Sequence, residues 1–250
     1  MRRPYWIPNN ASPHDFPPIE NALEHPDGLL AVGGDLTPQR LIVAYRHGIF
    51  PWYNDDQPIL WWSPSQRLVL FPQSLKVSRS LRKTIRKGKF KVTMDQNFRE
   101  VIKECAGPRR HQYGTWITEE MQEAYYQLHH YNFAHCVECW HEGQLVGGLY
   151  GVTLGKAFFG ESMFCQMTDA SKVAFVYFVR QLQSWGYELI DCQVYTDHLQ
   201  SLGAIEIPRQ QFSALLDNLC EMPGRRGKWQ FDENLTIFTK GNHKGLPLQQ

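Results

Sequence analysis

The sequence predicts an α+β protein. A mixed, mainly antiparallel sheet flanked by helices is expected over residues 67–250, preceded by a small α/β domain at residues 1–66. Three observations carry this. Apolar residues recur every three or four positions up to Leu128, then every second position from about 135 onward. Two turn pairs, Glu142-Gly143 and Gly155-Lys156, divide the alternating stretch into three segments. A stretch at 169–185, apolar nearly all round, is followed after Gly186 by a further strand pattern.

Taken in order, residues 1–66 are rich in Pro, Trp and Gly. Thr37 is a suitable N-cap, Pro38 fits the first helical position and Gly48 lies past the end. Leu41, Ala44 and Tyr45 mark the buried stripe between them. The run IFPWYNDDQPILWWSP, with its tryptophans and prolines, predicts a packed irregular segment. Ser78 caps a short helix ending before Gly88. A helix over Asp95–Ala106 buries Phe98, Val101, Ile102 and Cys105. Thr118 caps the next one, with Glu119 and Glu120 at its positive end and Met121, Ala124, Tyr125 and Leu128 on its apolar face. Strands at 135–141, 145–153 and 157–164 form an antiparallel meander. The deeply buried helix at 169–185, a strand Tyr187–Val194 and a helix at about 208–221 complete the chain.

Composition excludes several classes. A 250-residue chain of ordinary composition buries a full core without disulfides or a structural metal. The longest apolar run, Val173–Val179, is far short of the roughly 20 residues of a membrane helix, so no membrane partner is expected. Arg2 and Arg3 precede Pro4, Pro8, Asn9 and Asn10 rather than an apolar signal core, and the expectation is a cytoplasmic protein. Cys136 and Cys139 form a C-x-x-C beside His135 and His141. Zinc needs a second ligand pair, and residues three apart on a strand point to opposite faces. The six cysteines therefore read as free thiols, and no metal is expected.

Charge is unevenly placed. Between Gln57 and Met94 there is no acid, yet Arg67, Lys76, Arg79, Arg82, Lys83, Arg86, Lys87, Lys89 and Lys91 all fall there. Arg79, Arg82, Lys83 and Arg86 share one helical face, with Lys87 at its end. Such a stripe is either a solvated face or a phosphate contact. The missing acids favour a polyanionic partner.

The run ELIDCQV holds the most telling polar residues. Alternation places Leu189, Asp191 and Gln193 on one face, and Ile190, Cys192 and Val194 on the other. Glu161, in AFFGESMF, shares a face with Phe159 and Met163 by the same rule. Acids on central strands are costly unless hydrogen-bonded or used. They mark either a structural network or an apolar pocket with a negative patch.

No phosphate-binding, dinucleotide-binding, zinc-protease or serine-hydrolase motif occurs, so neither ATP nor NAD is expected. The meander, long helix and following strand resemble the acetyltransferase (GNAT) fold. The glycine-rich pyrophosphate loop of that fold is replaced here by CQMTDASK, which argues against coenzyme A. The motifs GLLAVGGDL, YRHGIFPWY, ILWWSP, GTWIT, LVGGLYGV, FFGESMF, ASK, LIDCQV, HLQSLGA and EIPR then occur in order between about residues 16 and 212. In them the chain resembles the bacterial leucyl/phenylalanyl-tRNA–protein transferases.

That resemblance implies transfer of Leu or Phe from aminoacyl-tRNA to the N-terminal amine of proteins starting with Arg or Lys, marking them for N-end-rule degradation. The donor is an activated ester, so no cofactor is implied. The resemblance implies a side-chain cavity lined by Leu149, Phe158, Met163, Phe178 and Ile190, and Trp52 and Trp116 as stacking partners of the terminal adenosine. Arg79, Arg82, Lys83, Arg86 and Lys87 would meet the tRNA. Asp191, Gln193 and Glu161 would be the catalytic group. Gln193 would orient the amine, Asp191 would polarise Gln193 or take the proton through a bridging group, and Glu161 would hold the cationic end of the acceptor. A coenzyme-A acyltransferase and a non-catalytic RNA-binding module are the rival readings.

Overall fold

The computed structural model describes residues 3–107 and 117–238. The strands are β1 (Tyr5–Ile7), β2 (Leu29–Gly33), β3 (Phe50–Pro51), β4 (Leu60–Trp62), β5 (Gln66–Leu70), β6 (Lys91–Met94), β7 (Ala134–His141), β8 (Gln144–Leu154), β9 (Ala157–Cys165), β10 (Leu189–Gln193) and β11 (Ile205–Pro208). The helices are α1 (Pro38–Arg46), α2 (Arg79–Arg86), α3 (Phe98–Ala106), α4 (Glu119–His130), α5 (Ala170–Ser184), α6 (Asp197–Ser201) and α7 (Arg209–Leu219). The first four strands form a small sheet in the order β1-β2-β4-β3, and the rest form a seven-stranded sheet in the order β11-β5-β10-β9-β8-β7-β6. The meander β7-β8-β9 is antiparallel, and β10 returns parallel to β9 after α5.

Local sequence accounts for most boundaries. Ser78 Oγ accepts the Leu81 N–H at 3.2 Å and Thr118 Oγ1 accepts the Met121 N–H at 3.1 Å, starting α2 and α4 as expected. Glu142 and Gly143 both take positive φ, the geometry of a two-residue hairpin turn. Thr37 precedes α1, but its hydroxyl donates to Asp35 instead of capping the helix. The helix expected from Asp95 begins later, at Phe98, and the residues before Asp95 form β6. Asp95 turns at φ 51°, where its carboxylate accepts from the Cys136 and Trp229 N–H groups and meets His135 Nδ1, and Asn97 becomes the cap.

Two apolar cores cover the two faces of the large sheet. One joins the small sheet, α1, α3, α4 and α7 to Val69, Tyr150, Phe159 and Leu189. The other packs α2 and α5 on Leu68, Leu70, Leu149, Phe158 and Ile190. Residues before and after position 66 thus share a core. Cys136 faces the first core and Cys139 the second, and all six cysteines are free thiols.

The β8–β9 register shifts at Tyr150 and Gly151, which pair with Ser162 and Gly160. A Cβ built at Gly151 would sit 2.1 Å from the Phe159 carbonyl oxygen and 2.6 Å from the Phe158 ring. Gly151→Ala is therefore expected to destabilise the fold by about 1–3 kcal/mol, read as a lower urea midpoint at unchanged slope.

Candidate active site

The parallel pairing of β9 and β10 ends at Phe159 and Asp191. Past that point lies a cavity of about 460 Å³. Both strands carry a bulge there. In β9, Glu161 is the extra residue between Gly160 and Ser162. In β10, Asp191 pairs with Val69 and Gln193 with Leu68, leaving Cys192 extra. An extra residue re-aims the side chains that follow it. This corrects the simple alternation expected of both strands. Phe159 belongs to one core while Met163 packs on the other, so they do not share a face with Glu161 between them. Gln193, at φ 61°, sits opposite Leu68 rather than continuing the face of Asp191.

The bulges gather Asp191, Gln193 and Glu161 into one network. Arg67 grips Asp191 with both ends of its guanidinium: Nε donates to Oδ1 at 2.8 Å and Nη2 to Oδ2 at 2.6 Å. Both side chains are buried, and the guanidinium lies 4.5 Å from the Phe50 ring centre and 4.7 Å from that of Phe212. Asp191 Oδ1 also accepts the Gln193 backbone N–H at 2.8 Å, which holds the unusual backbone of that residue. Gln193 Nε2 donates to Glu161 Oε1 at 2.8 Å, so its carbonyl oxygen is what the amide offers a ligand. Glu161 Oε2 accepts the Tyr125 hydroxyl at 2.7 Å, and Tyr125 bonds in turn to Tyr45.

The electrostatics follow from burial. Desolvation pushes the Glu161 carboxyl up to about 7, with the nearby Asp191 charge adding to the rise and the tyrosine hydrogen bonds and Arg67 opposing it. Burial likewise drives the Tyr45 and Tyr125 phenols well above their ordinary value. The Asp191 oxygens accept from Arg67 and from the Gln193 backbone. Arg67, the partner that the sequence reading did not foresee for Asp191, lies 124 residues away in the chain.

The expected lining residues divide. Leu149, Phe158, Met163, Ile190 and Trp52 line the cavity, as do Phe50, Phe175, Cys192 and His198, which sequence reasoning missed. Phe178 is not on the wall. It lies behind Phe158, ring centres 4.6 Å apart, and supports it. Phe175 takes the wall position on the same helix. Trp116 lies outside the described residues. Arg67 leaves the basic stretch for the interior. On α2, Arg79, Lys83, Arg86 and Lys87 are exposed, whereas Arg82 is half-buried, its Nε donating to the Val77 carbonyl and its guanidinium 4.9 Å from the Phe238 ring centre.

A second polar cluster, Asp95, His129 and His135, has the donor types of a metal site. Its atoms serve the fold instead. Asp95 takes two backbone N–H groups and His135. His135 Nε2 meets the Asn132 carbonyl, and His129 Nδ1 meets that of Ala134. The His135 ring also stacks on Trp229 at 3.7 Å.

Comparison with known proteins adds a family. A family model described as leucyl/phenylalanyl-tRNA protein transferase matches residues 69–217, and that of its N-terminal domain matches residues 34–65. A leucyl/phenylalanyl-tRNA–protein transferase of Nitrosospira multiformis is 59% identical, over 90% of this chain and 97% of its own. One of Nitrosomonas europaea is 60% identical, over 87% of this chain and 92% of its own. Among solved structures, a GCN5-related N-acetyltransferase from Kribbella flavida has a TM-score of 0.35 at 10% identity, over 69% of this chain and 61% of that one, too slight a likeness to carry an argument.

The Glu161 carboxyl ionises near 4.5 when exposed and near 7 in the folded chain. Between those values the folded state binds the extra proton, so this group lowers stability as pH rises through the window. Glu161→Gln cannot ionise. The stability of the variant relative to wild type is expected to rise from pH 4.5 to about 7 and then level off, as read from urea unfolding across that range. A difference independent of pH would refute the shifted carboxyl.

Proposed function

The chain belongs to the leucyl/phenylalanyl-tRNA–protein transferase family, and on that premise we propose that it moves Leu or Phe from aminoacyl-tRNA to the N-terminal amine of proteins beginning with Arg or Lys, marking them for N-end-rule degradation in the cytoplasm. The observation that carries the reading is Gln193, fixed through its backbone by Asp191 and through its side chain by Glu161, beside an apolar cavity. Leu149, Phe158, Met163, Phe175 and Ile190 suit an apolar side chain, and Trp52, exposed at the edge, suits a stacked adenine.

The chemistry is aminolysis of an ester. The amine nitrogen bonds to the ester carbonyl carbon, the bond from that carbon to the ribose oxygen breaks, and the amine proton passes to the departing oxygen. An α-amine ionises near 7.7–8.0, so a useful fraction is neutral near pH 7 and no strong base is needed. The Gln193 carbonyl accepts an amine N–H and aims the lone pair. Asp191 acts through Gln193 as a positioning residue. Much of the acceleration comes from holding amine and ester in contact. The charge of Asp191 is answered by Arg67, which leaves Glu161 to meet a cationic acceptor side chain.

Coenzyme A is not the donor on this reading. Cys165–Lys172 contains no glycine, and Asp169, its carboxylate accepting from Thr84, sits at the start of α5 where a pyrophosphate would need backbone N–H groups. The exposed cations of α2 suit the tRNA backbone instead.

Incubation with Leu-tRNA and an N-terminal-Arg peptide is expected to form a new peptide bond. Tight tRNA binding with the peptide left unchanged would favour a non-catalytic RNA-binding module. Gln193→Ala should cut single-turnover transfer by about 10²-fold, the scale on which lost orientation of the reacting atoms slows a reaction, while Leu-tRNA binding stays near wild type. A loss below tenfold would make Gln193 structural only.

The triple replacement Arg79→Glu, Lys83→Glu and Arg86→Glu should weaken tRNA binding with little change in stability. Each lost phosphate contact lowers the log–log salt slope by about 0.7–0.9. Filter binding between low and moderate salt measures this, and an unchanged slope would rule α2 out as the contact.

A further inference from the structure

The cavity has a floor and a rim of different chemistry. Leu149, Phe158, Phe175 and Ile190 are buried at the floor, while Trp52, Val194 and Thr196 are exposed at the rim. His198, on the short helix α6, lines the same cavity and is half-buried. Its Nε2 is buried and has no hydrogen-bond partner among the described residues. A buried polar atom left unpaired costs about 1–3 kcal/mol. In a residue of a cavity wall, such an atom finds its partner in the ligand once the ring turns toward the cavity.

We propose that His198 Nε2 hydrogen-bonds the 2′-hydroxyl of the terminal ribose of the aminoacyl-tRNA donor. The inference rests on the transferase reading above. With the amino-acid side chain on the apolar floor, the ester carbonyl lies level with Gln193 and Glu161. The ribose comes next, at the rim, with its base beside Trp52. Thr196, also at the rim, is already engaged, since its Oγ1 accepts the Leu199 N–H at 3.2 Å. Burial, and then the Lys172 charge, hold the His198 imidazole below its ordinary value, so the ring is neutral near pH 7. A neutral imidazole has one nitrogen that donates and one that accepts, and a hydroxyl can pair with either. The 2′-hydroxyl adjoins the ester oxygen that departs, so fixing the ribose fixes the bond that breaks.

The test is a cycle of four single-turnover rates: wild type and His198→Ala, each with Leu-tRNA ending in adenosine or in 2′-deoxyadenosine, and an N-terminal-Arg peptide as acceptor. Each change alone should cost about tenfold, the scale of one net hydrogen bond, and the two together should cost no more than either. His198→Gln, which keeps a donor and an acceptor, should recover most of the loss on the ribose donor. Losses that multiply to about a hundredfold, or a His198→Ala rate equal to wild type, would overturn the contact while leaving the transferase reading intact. So would a wild type indifferent to the missing hydroxyl, whatever becomes of the variants. A wild type that makes no peptide bond from the all-ribose donor would remove the transferase reading, and the ribose contact with it.

Discussion

The buried pair of Arg67 and Asp191 is the contact on which the rest of the site depends. It joins β5 to β10 in the middle of the large sheet, and the rings of Phe50 and Phe212 enclose the guanidinium from the small sheet and from α7. Four separate stretches of chain therefore meet at one charge. Leaving either partner alone in so buried a place costs about 3–5 kcal/mol. The planar, two-pronged guanidinium also fixes the carboxylate plane, which a lysine could not do. Asp191 can then hold the Gln193 backbone in a conformation that a side chain other than glycine rarely adopts.

The two bulges convert this rigidity into a cavity. Paired strands leave no room between them, and the β9–β10 ladder stops where each strand gains a residue. Glu161 and Gln193 emerge on either side of the gap and bond across it at 2.8 Å. The floor below remains apolar because the alternation is intact up to Phe158 and Ile190. Buried tyrosines 45 and 125 complete the far side of Glu161, so a carboxyl that ionises near 7 is held without a cation of its own. A carboxyl so poised beside an apolar cavity suits the proposed pairing of an apolar aminoacyl side chain with a cationic acceptor.

Much of the architecture was determined by the sequence alone. The hairpin at Glu142-Gly143, the caps at Ser78 and Thr118, the buried α5 and the apolar stripes of α3, α4 and α7 follow from local chemistry acting over a few residues, and such interactions are written in the order of the chain. That Asp191, Gln193 and Glu161 need buried hydrogen-bond partners was legible as well, because polar residues on a central strand stand out against their neighbours. So was the exposed cationic face of α2, a property of residues three and four apart.

Tertiary structure alone decided how those residues work. That Arg67 belongs to Asp191 and not to the basic surface depends on a contact across 124 residues, which no local pattern records. The bulges in β9 and β10 reverse the face on which Met163 and Gln193 emerge, and a strict period of two cannot foresee an extra residue. Phe175 and not Phe178 reaches the cavity from α5, because residues three apart share a helical face and only the seating of the helix against the cavity decides which of them meets it. His198 opens one of the motifs of the family resemblance, but its place in the cavity wall was not legible there, because its buried nitrogen exists only once α6 is folded against the rim.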